Sequence, residues 1–257
     1  MKQQAGMGRR LSPILELMLA VSMMIPTLGA CASKEAKEDH SSPKGETAAA
    51  SSAAGHEEEA VAPSAVATQP SLIFLGDSLT AGFGLAADEA LPALIQERVD
   101  EAKLGYQVIN AGRSGDTTAG GLARLGWYLR KETRPAGLVV FLGANDGMRG
   151  LSTEDMEENL RKIIAAARDY DADLPVFLVA VKAFPNMGEE FSQRFEAVYP
   201  TVAETEKVEL LDFPLLNVAA KPELNQPDGI HPTAEGTIIV ADQLWSQLGT
   251  KLPAVQP

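Results

Sequence analysis

The chain from Ser71 onward is predicted to fold as an α/β domain, with a parallel sheet carrying helices on both faces. Three observations predict this. Short apolar runs alternate with stretches long enough for helices, in the order β-α-β-α-β-α-β-α-β-α. Several of the short runs are rich in β-branched residues, which suit a pleated, buried surface. Glycine or asparagine directly follows each of the first three runs (Gly76, Asn110 and Gly143), at the strand ends where parallel sheets bind ligands.

The elements follow in order. Residues 72–75 read Leu-Ile-Phe-Leu and end on Gly76-Asp77-Ser78-Leu79, a strand followed by a sharp glycine turn that carries a serine. Residues 90–103 are long enough for a helix. Residues 107–109 form a weak strand signal, reinforced by Tyr106 and followed by Asn110-Ala111-Gly112. Residues 118–129 read as a second helix, with Asp116 placed to cap it. Residues 138–142 are a strong buried strand ending on Gly143-Ala144-Asn145-Asp146. Residues 153–170 are helical by the spacing of Met156, Leu160, Ile163 and Ile164, and Ser152 with Asp155 fits a capping box. Strands at 176–181 and 208–211 flank a helix at 189–206. The last helix, 234–248, places Ile238, Val240, Ala241, Leu244, Trp245 and Leu248 largely on one face.

The serine defines the chemistry to look for. A hydroxyl is a weak nucleophile until a base removes its proton. Of the three histidines, His40 and His56 lie in low-complexity sequence, which leaves His231 in the folded part. It stands in Asp228-Gly229-Ile230-His231-Pro232, with a carboxylate three residues earlier. Ser78, His231 and Asp228 are therefore candidates for a nucleophile, base and orienting acid. Gly112, whose backbone N–H can approach a substrate closely, and Asn145, with a side-chain N–H, are the donor types an oxyanion hole needs. No Gly-rich dinucleotide loop or phosphate loop is present, and no cofactor is expected. No His, Cys and carboxylate set has metal-ligand spacing, so no metal site is expected either.

These four blocks, Gly76-Asp77-Ser78-Leu79, Gly112, Gly143-Ala144-Asn145-Asp146 and Asp228-Gly229-Ile230-His231-Pro232, resemble those of the GDSL, or SGNH, hydrolases. Ser114-Gly115-Asp116-Thr117-Thr118, Gly121-Leu122-Ala123-Arg124-Leu125, Asn145-Asp146-Gly147-Met148-Arg149-Gly150 and Tyr199-Pro200 extend the likeness. They make the chain most similar to the bacterial multifunctional thioesterase, arylesterase and lysophospholipase branch. Arg113 departs from the pattern, standing where a less charged residue is expected. The resemblance runs from about Ser71 to Leu248. It implies a three-layer α/β/α flavodoxin-like fold with a five-stranded parallel sheet. It also implies that Ser78 attacks an ester or thioester carbonyl, that His231 moves the proton, and that Asp228 orients the ring. The oxyanion would be held by the amides of Ser78 and Gly112 and by the Asn145 side chain. Asp77 and Asp146 are expected to be structural. Phe83, Met148, Phe184 and Met187 are candidates for an apolar wall around an acyl or aryl group. The glycine-flanked segment from Gly147 to Gly150 resembles a mobile loop that closes over substrate. A carbohydrate acetylesterase on the same fold, or a catalytically silent envelope lipoprotein, are the competing readings.

The rest of the chain concerns location. Lys2, Arg9 and Arg10 precede an apolar stretch at 11–28 that is short for a membrane span and interrupted by Pro13, Glu16 and Pro26. It reads as a signal peptide. The single cysteine, Cys31, follows Leu28-Gly29-Ala30, which resembles a bacterial lipobox. By that resemblance Cys31 is lipidated, Ala32 favours the outer membrane, and the enzyme faces the periplasm; a soluble periplasmic or secreted protein is the alternative. One cysteine excludes an intrachain disulfide. Residues 32–70 are rich in Ala, Ser, Glu, Lys and Pro and are expected to be a disordered linker. The expected organisation is thus 1–31 signal peptide, 32–70 linker, 71–250 hydrolase domain and 251–257 tail. With 22 Lys and Arg against 35 Asp and Glu, the net charge is −13, which argues against a nucleic-acid partner. The expected partners are small acyl esters, thioesters or lysophospholipids, and a membrane through the anchor at Cys31.

Overall fold

A computed structural model of the chain describes residues 68–255. The expected signal peptide, Cys31 with its expected lipidation, and the expected linker up to residue 67 lie outside the described residues. A five-stranded parallel sheet in the order β2-β1-β3-β4-β5 forms the centre, built from β1 (Ser71–Gly76), β2 (Gln107–Gly112), β3 (Pro135–Phe141), β4 (Val176–Val179) and β5 (Glu209–Leu211). Every strand pair is parallel. β1 is buried at all six positions and β4 at all four, which is why both read as unbroken apolar runs rather than as alternating patterns.

The helices are α1 (Ser78–Ala81), α2 (Leu91–Glu101), α3 (Thr118–Leu125), α4 (Ala144–Met148), α5 (Thr153–Tyr170), α6 (Glu189–Glu206) and α7 (Ala234–Leu248). Right-handed crossovers dictate their layers. The step from β1 to β2 runs one way across the sheet, and the steps from β2 to β3, β3 to β4 and β4 to β5 run the other way. Accordingly α2 packs with α7, and α5 packs with both α3 and α6. The order reverses at β1, so a crevice opens at the carboxyl ends of β1 and β3. Gly76 is in register with both Gly112 and Phe141, which sets three strand ends level.

Several local expectations are corrected. α3 ends at Leu125 rather than at 129. Past it, Trp127 and Tyr128 bond back to Arg124 and Leu125 in tight turns, which turns Tyr128 into the core. Thr117, not Asp116, caps α3, accepting the Gly120 N–H at 3.2 Å. At α5, Ser152 Oγ accepts the Asp155 N–H as expected, but the carboxylate that meets the Ser152 hydroxyl belongs to Glu154. On α7, Ile238 faces solvent, 47% exposed, while Gly236 and Thr237 are buried. After α7 the chain stays attached: the Tyr106 hydroxyl donates to the Pro253 carbonyl at 2.9 Å, and Val255 N–H donates to the Leu104 carbonyl.

Candidate active site

β1 delivers the serine. Gly76 ends the strand where any side chain would meet the Thr80 hydroxyl, so the turn closes only on glycine. Asp77 then caps α1, its Oδ1 accepting the Leu79 N–H at 3.0 Å, as its position in the turn predicts. Ser78 follows as the first residue of α1 and is partly buried.

The histidine arrives from 153 positions away. His231 Nε2 lies 2.9 Å from Ser78 Oγ, and its Nδ1 lies 2.7 Å from Asp228 Oδ2. Asp228 also organises its own loop. Its Oδ1 accepts the N–H groups of Ile230 and His231 at 2.9 and 3.0 Å, and Gly229 takes the positive φ of 72° that this turn requires. The hydrogen bonds to the His231 ring and to these two amides hold the Asp228 carboxyl down at about 2. The loop is tied back by Gln226, whose N–H donates to the His231 carbonyl at 2.7 Å. Thr233 then starts α7, accepting the Gly236 N–H.

β3 delivers Asn145 through Gly143, which holds φ at 120° with no room for a Cβ against the Tyr199 hydroxyl. That hydroxyl donates to the Leu142 carbonyl at 2.9 Å and fixes the strand end. Asn145 is buried; its Nδ2 donates to the Asp116 carbonyl at 2.9 Å and also faces Asp77 Oδ2 at 3.4 Å. Gly112 packs against α1, where a Cβ would meet the Ala81 backbone nitrogen. Its N–H donates to Asn110 Oδ1 at 2.9 Å. The three expected donors therefore surround one turn, and two of them already hold a partner: Gly112 has Asn110 and Asn145 has Asp116.

Charged groups brace this arrangement from inside. Arg124 is buried and pairs with Asp116 at 2.5 Å, while its Nη2 donates to the Gly76 carbonyl at 2.9 Å. Asp146 accepts both the N–H and the hydroxyl of Thr118 and so locks α4 to α3, consistent with the structural part expected for it. Burial raises its carboxyl above the usual carboxylate range. Asp77, fully buried, is raised to about 7 by loss of hydration, against the lowering effect of the Leu79 N–H.

An apolar cavity of about 410 Å³ adjoins the site. Met148, Phe184 and Met187, singled out in the sequence, line it together with Phe191, Ile230 and Asn186. Sequence reasoning missed Phe191 and Ile230; the first sits on an amphipathic helix and the second in the histidine loop, and neither carries a signal of its own. Phe83 is not part of this wall. Its ring lies against His231, centroids 4.6 Å apart and planes tilted by 39°. Gly147 is not a hinge either. It lies inside α4, buried against the Phe195 ring, which leaves Gly150, at φ 60°, as the free glycine of that segment. Arg149 Nη2 donates to the Gly115 carbonyl at 2.8 Å and joins this segment to the loop after β2. Among the described residues no cluster of three His, Cys, Asp or Glu side chains is placed to hold a metal ion.

A parallel α/β/α sheet with a serine, a histidine and amide donors at its switch point defines a class of hydrolase. Comparison with known proteins makes the class specific: residues 74–237 match the GDSL-like lipase/acylhydrolase family, and the chain belongs to it. It is 37% identical over 177 residues to an arylesterase of Vibrio mimicus, covering 69% of this chain and 87% of that one. It is 37% identical over 182 residues to thioesterase 1/protease 1/lysophospholipase L1 of Escherichia coli strain K12, covering 71% and 85%. Among solved structures it is similar to the psychrotrophic esterase EstA of a Pseudoalteromonas species, with a TM-score of 0.67 and 29% identity over 71% of this chain and 98% of that one.

Proposed function

We propose that the protein is a serine esterase that cleaves carboxylic esters and thioesters through an acyl-enzyme. The observation that carries this reading is the line of contacts from Ser78 Oγ to His231 Nε2 at 2.9 Å and from His231 Nδ1 to Asp228 at 2.7 Å. Ser78 Oγ attacks the carbonyl carbon while His231 Nε2 takes its proton; the same proton then goes to the departing oxygen or sulfur. Asp228 remains ionised, fixes the ring through Nδ1–H and stabilises the imidazolium. Water repeats the sequence on the acyl-serine and releases the acid. The negative charge that develops on the carbonyl oxygen is taken up by the N–H groups of Ser78, Gly112 and Asn145, with Gly112 released from Asn110 as the oxygen enters. The acyl chain occupies the cavity lined by Met148, Phe184 and Met187. Arylesterase, acyl-thioesterase and lysophospholipase activities, the names its relatives carry, are the substrate range this predicts.

The test is hydrolysis of p-nitrophenyl esters of graded acyl length by the wild-type chain, Ser78→Ala, His231→Ala and the double variant. Each single variant should lose nearly all turnover, and the double should be little worse, because the residues act as a unit. A folded Ser78→Ala that keeps most of its kcat would refute the mechanism. Activity confined to acetyl esters would favour a carbohydrate acetylesterase, and no activity at all would favour a silent envelope protein.

Location is a separate proposal and rests on sequence alone. Cleavage before Cys31 and lipidation there would place the enzyme at the cell envelope, tethered by the polar segment that follows. In a bacterial host, labelled fatty acid should enter the wild-type chain and not Cys31→Ser. An unlabelled wild type would indicate a soluble periplasmic or secreted enzyme.

A further inference from the structure

We propose that Phe83 forms the binding surface for the leaving group and selects esters of aromatic or other flat apolar alcohols. This rests on the esterase reading above. The chemistry fixes where that group must sit. In acylation the bond from Ser78 Oγ to the carbonyl carbon forms, the bond from that carbon to the alcohol oxygen breaks, and the proton on His231 Nε2 passes to the departing oxygen. That oxygen therefore lies within a hydrogen bond of Nε2, and its substituent begins at the imidazole. The Phe83 ring offers an apolar surface against the imidazole, ring centroids 4.6 Å apart.

The acyl cavity is built from other residues. It is lined by Met148, Phe184, Met187, Phe191 and Ile230, and Phe83 is absent from it. The site thus has two apolar surfaces, one for each side of the scissile bond.

Phe83 is 47% exposed. Exposure alone carries nothing, since single surface hydrophobics are common; the way it is held does. Its N–H donates to the Ser78 carbonyl at 3.1 Å. Its carbonyl accepts the Gln226 side-chain amide at 2.7 Å, and the same amide donates to the Pro232 carbonyl at 2.9 Å. Gly82 and Gly84 on either side take φ of 84° and 75°, and a side chain at Gly84 would collide with Gln226. The loop of the nucleophile and the loop of the base are therefore joined through Gln226 at the residue that presents the ring. A half-open aromatic face fixed in this way offers stacking to a second ring, an interaction beyond plain area burial.

The test varies the two sides of the ester independently, using the full chain. Benzyl and ethyl acetate differ in the alcohol at similar leaving-group acidity, and ethyl octanoate against ethyl acetate differs in the acyl chain. Phe83→Ala should lower kcat/KM for benzyl acetate about tenfold relative to ethyl acetate. It should leave the octanoate-to-acetate ratio unchanged. Phe83→Leu, which keeps apolar packing on His231 without a ring, should lose part of the benzyl preference. Far-UV circular dichroism and the urea midpoint report folding of each variant independently of turnover. Equal losses on both alcohols would reduce Phe83 to a support for His231 and overturn the proposal. No loss, or a change confined to the octanoate ratio, would overturn it too. A wild-type chain that cleaves none of these esters would overturn the esterase reading itself, and this inference with it.

Discussion

Asp77 Oδ2 and Asn145 Nδ2 face each other at 3.4 Å, so the cap of the helix that carries Ser78 and the side chain proposed to hold the oxyanion share a contact. Burial raises the Asp77 carboxyl from 3.8 to about 7. Between those values the folded chain keeps a proton that the unfolded chain has released. The contribution of Asp77 to stability is thus greatest at low pH, falls as pH rises towards 7 and is level beyond. Asp77→Asn keeps the cap acceptor and removes the titration. Its urea midpoint relative to wild type should improve steadily from pH 4.5 to 7.5; a constant difference between the two proteins would show that Asp77 does not titrate in this range.

Asn145→Ala should lower kcat by roughly two to three orders of magnitude with a modest change in KM, because in the proposed mechanism the amide acts on charge that exists only in the transition state. Steady-state kinetics on a p-nitrophenyl ester would decide. Weaker binding with normal turnover would reassign Asn145 to holding the ground-state substrate.

Arg124 is the buried partner of Asp116, and both belong to the frame around the site, since Asp116 also offers its carbonyl to Asn145. Arg124→Met leaves a largely buried carboxylate without its cation. A loss of about 3–5 kcal/mol is expected from removing one partner of such a pair. Adding Asp116→Asn should recover part of that loss in chemical denaturation. Additive losses would mean that the two residues are not coupled.

Met148→Ala and Phe184→Ala should reduce hydrolysis of octanoyl esters more than acetyl esters if the cavity they line takes the acyl chain as proposed, because only the longer chain would reach it. Each buried methylene contact discriminates by roughly 1–3 kcal/mol at most, so a graded rather than an absolute preference is expected. Equal losses across chain lengths would place the acyl group elsewhere.

Much of this was readable from residues alone. Unbroken apolar runs such as Leu72 to Leu75 and Leu138 to Leu142 announce strands buried on both faces; the helix Thr153–Tyr170 follows from apolar spacing and its Ser152 cap, Ala234–Leu248 from apolar spacing, and Glu189–Glu206 from its length between two strand signals. The identity of Ser78, His231, Asp228, Gly112 and Asn145 as candidates was also readable, because each follows a strand signal or stands beside a partner in the chain. What local sequence could not decide is which side chains meet across long separations. Asp116 looked like a cap and is an ion-pair partner, since Arg124, eight positions further along the chain, brings a buried cation to it. Phe83 looked like part of the acyl wall and lies on His231, since Gln226, 143 positions away, draws its loop there. Sequence alone determined the residue types, their strand-end positions and the chemistry they permit, because periodicity and turn requirements are local. Only the tertiary structure decided that Phe83 lies on His231 while Met148, Phe184 and Met187 line a separate cavity, because the crossovers of the sheet bring distant loops to one crevice.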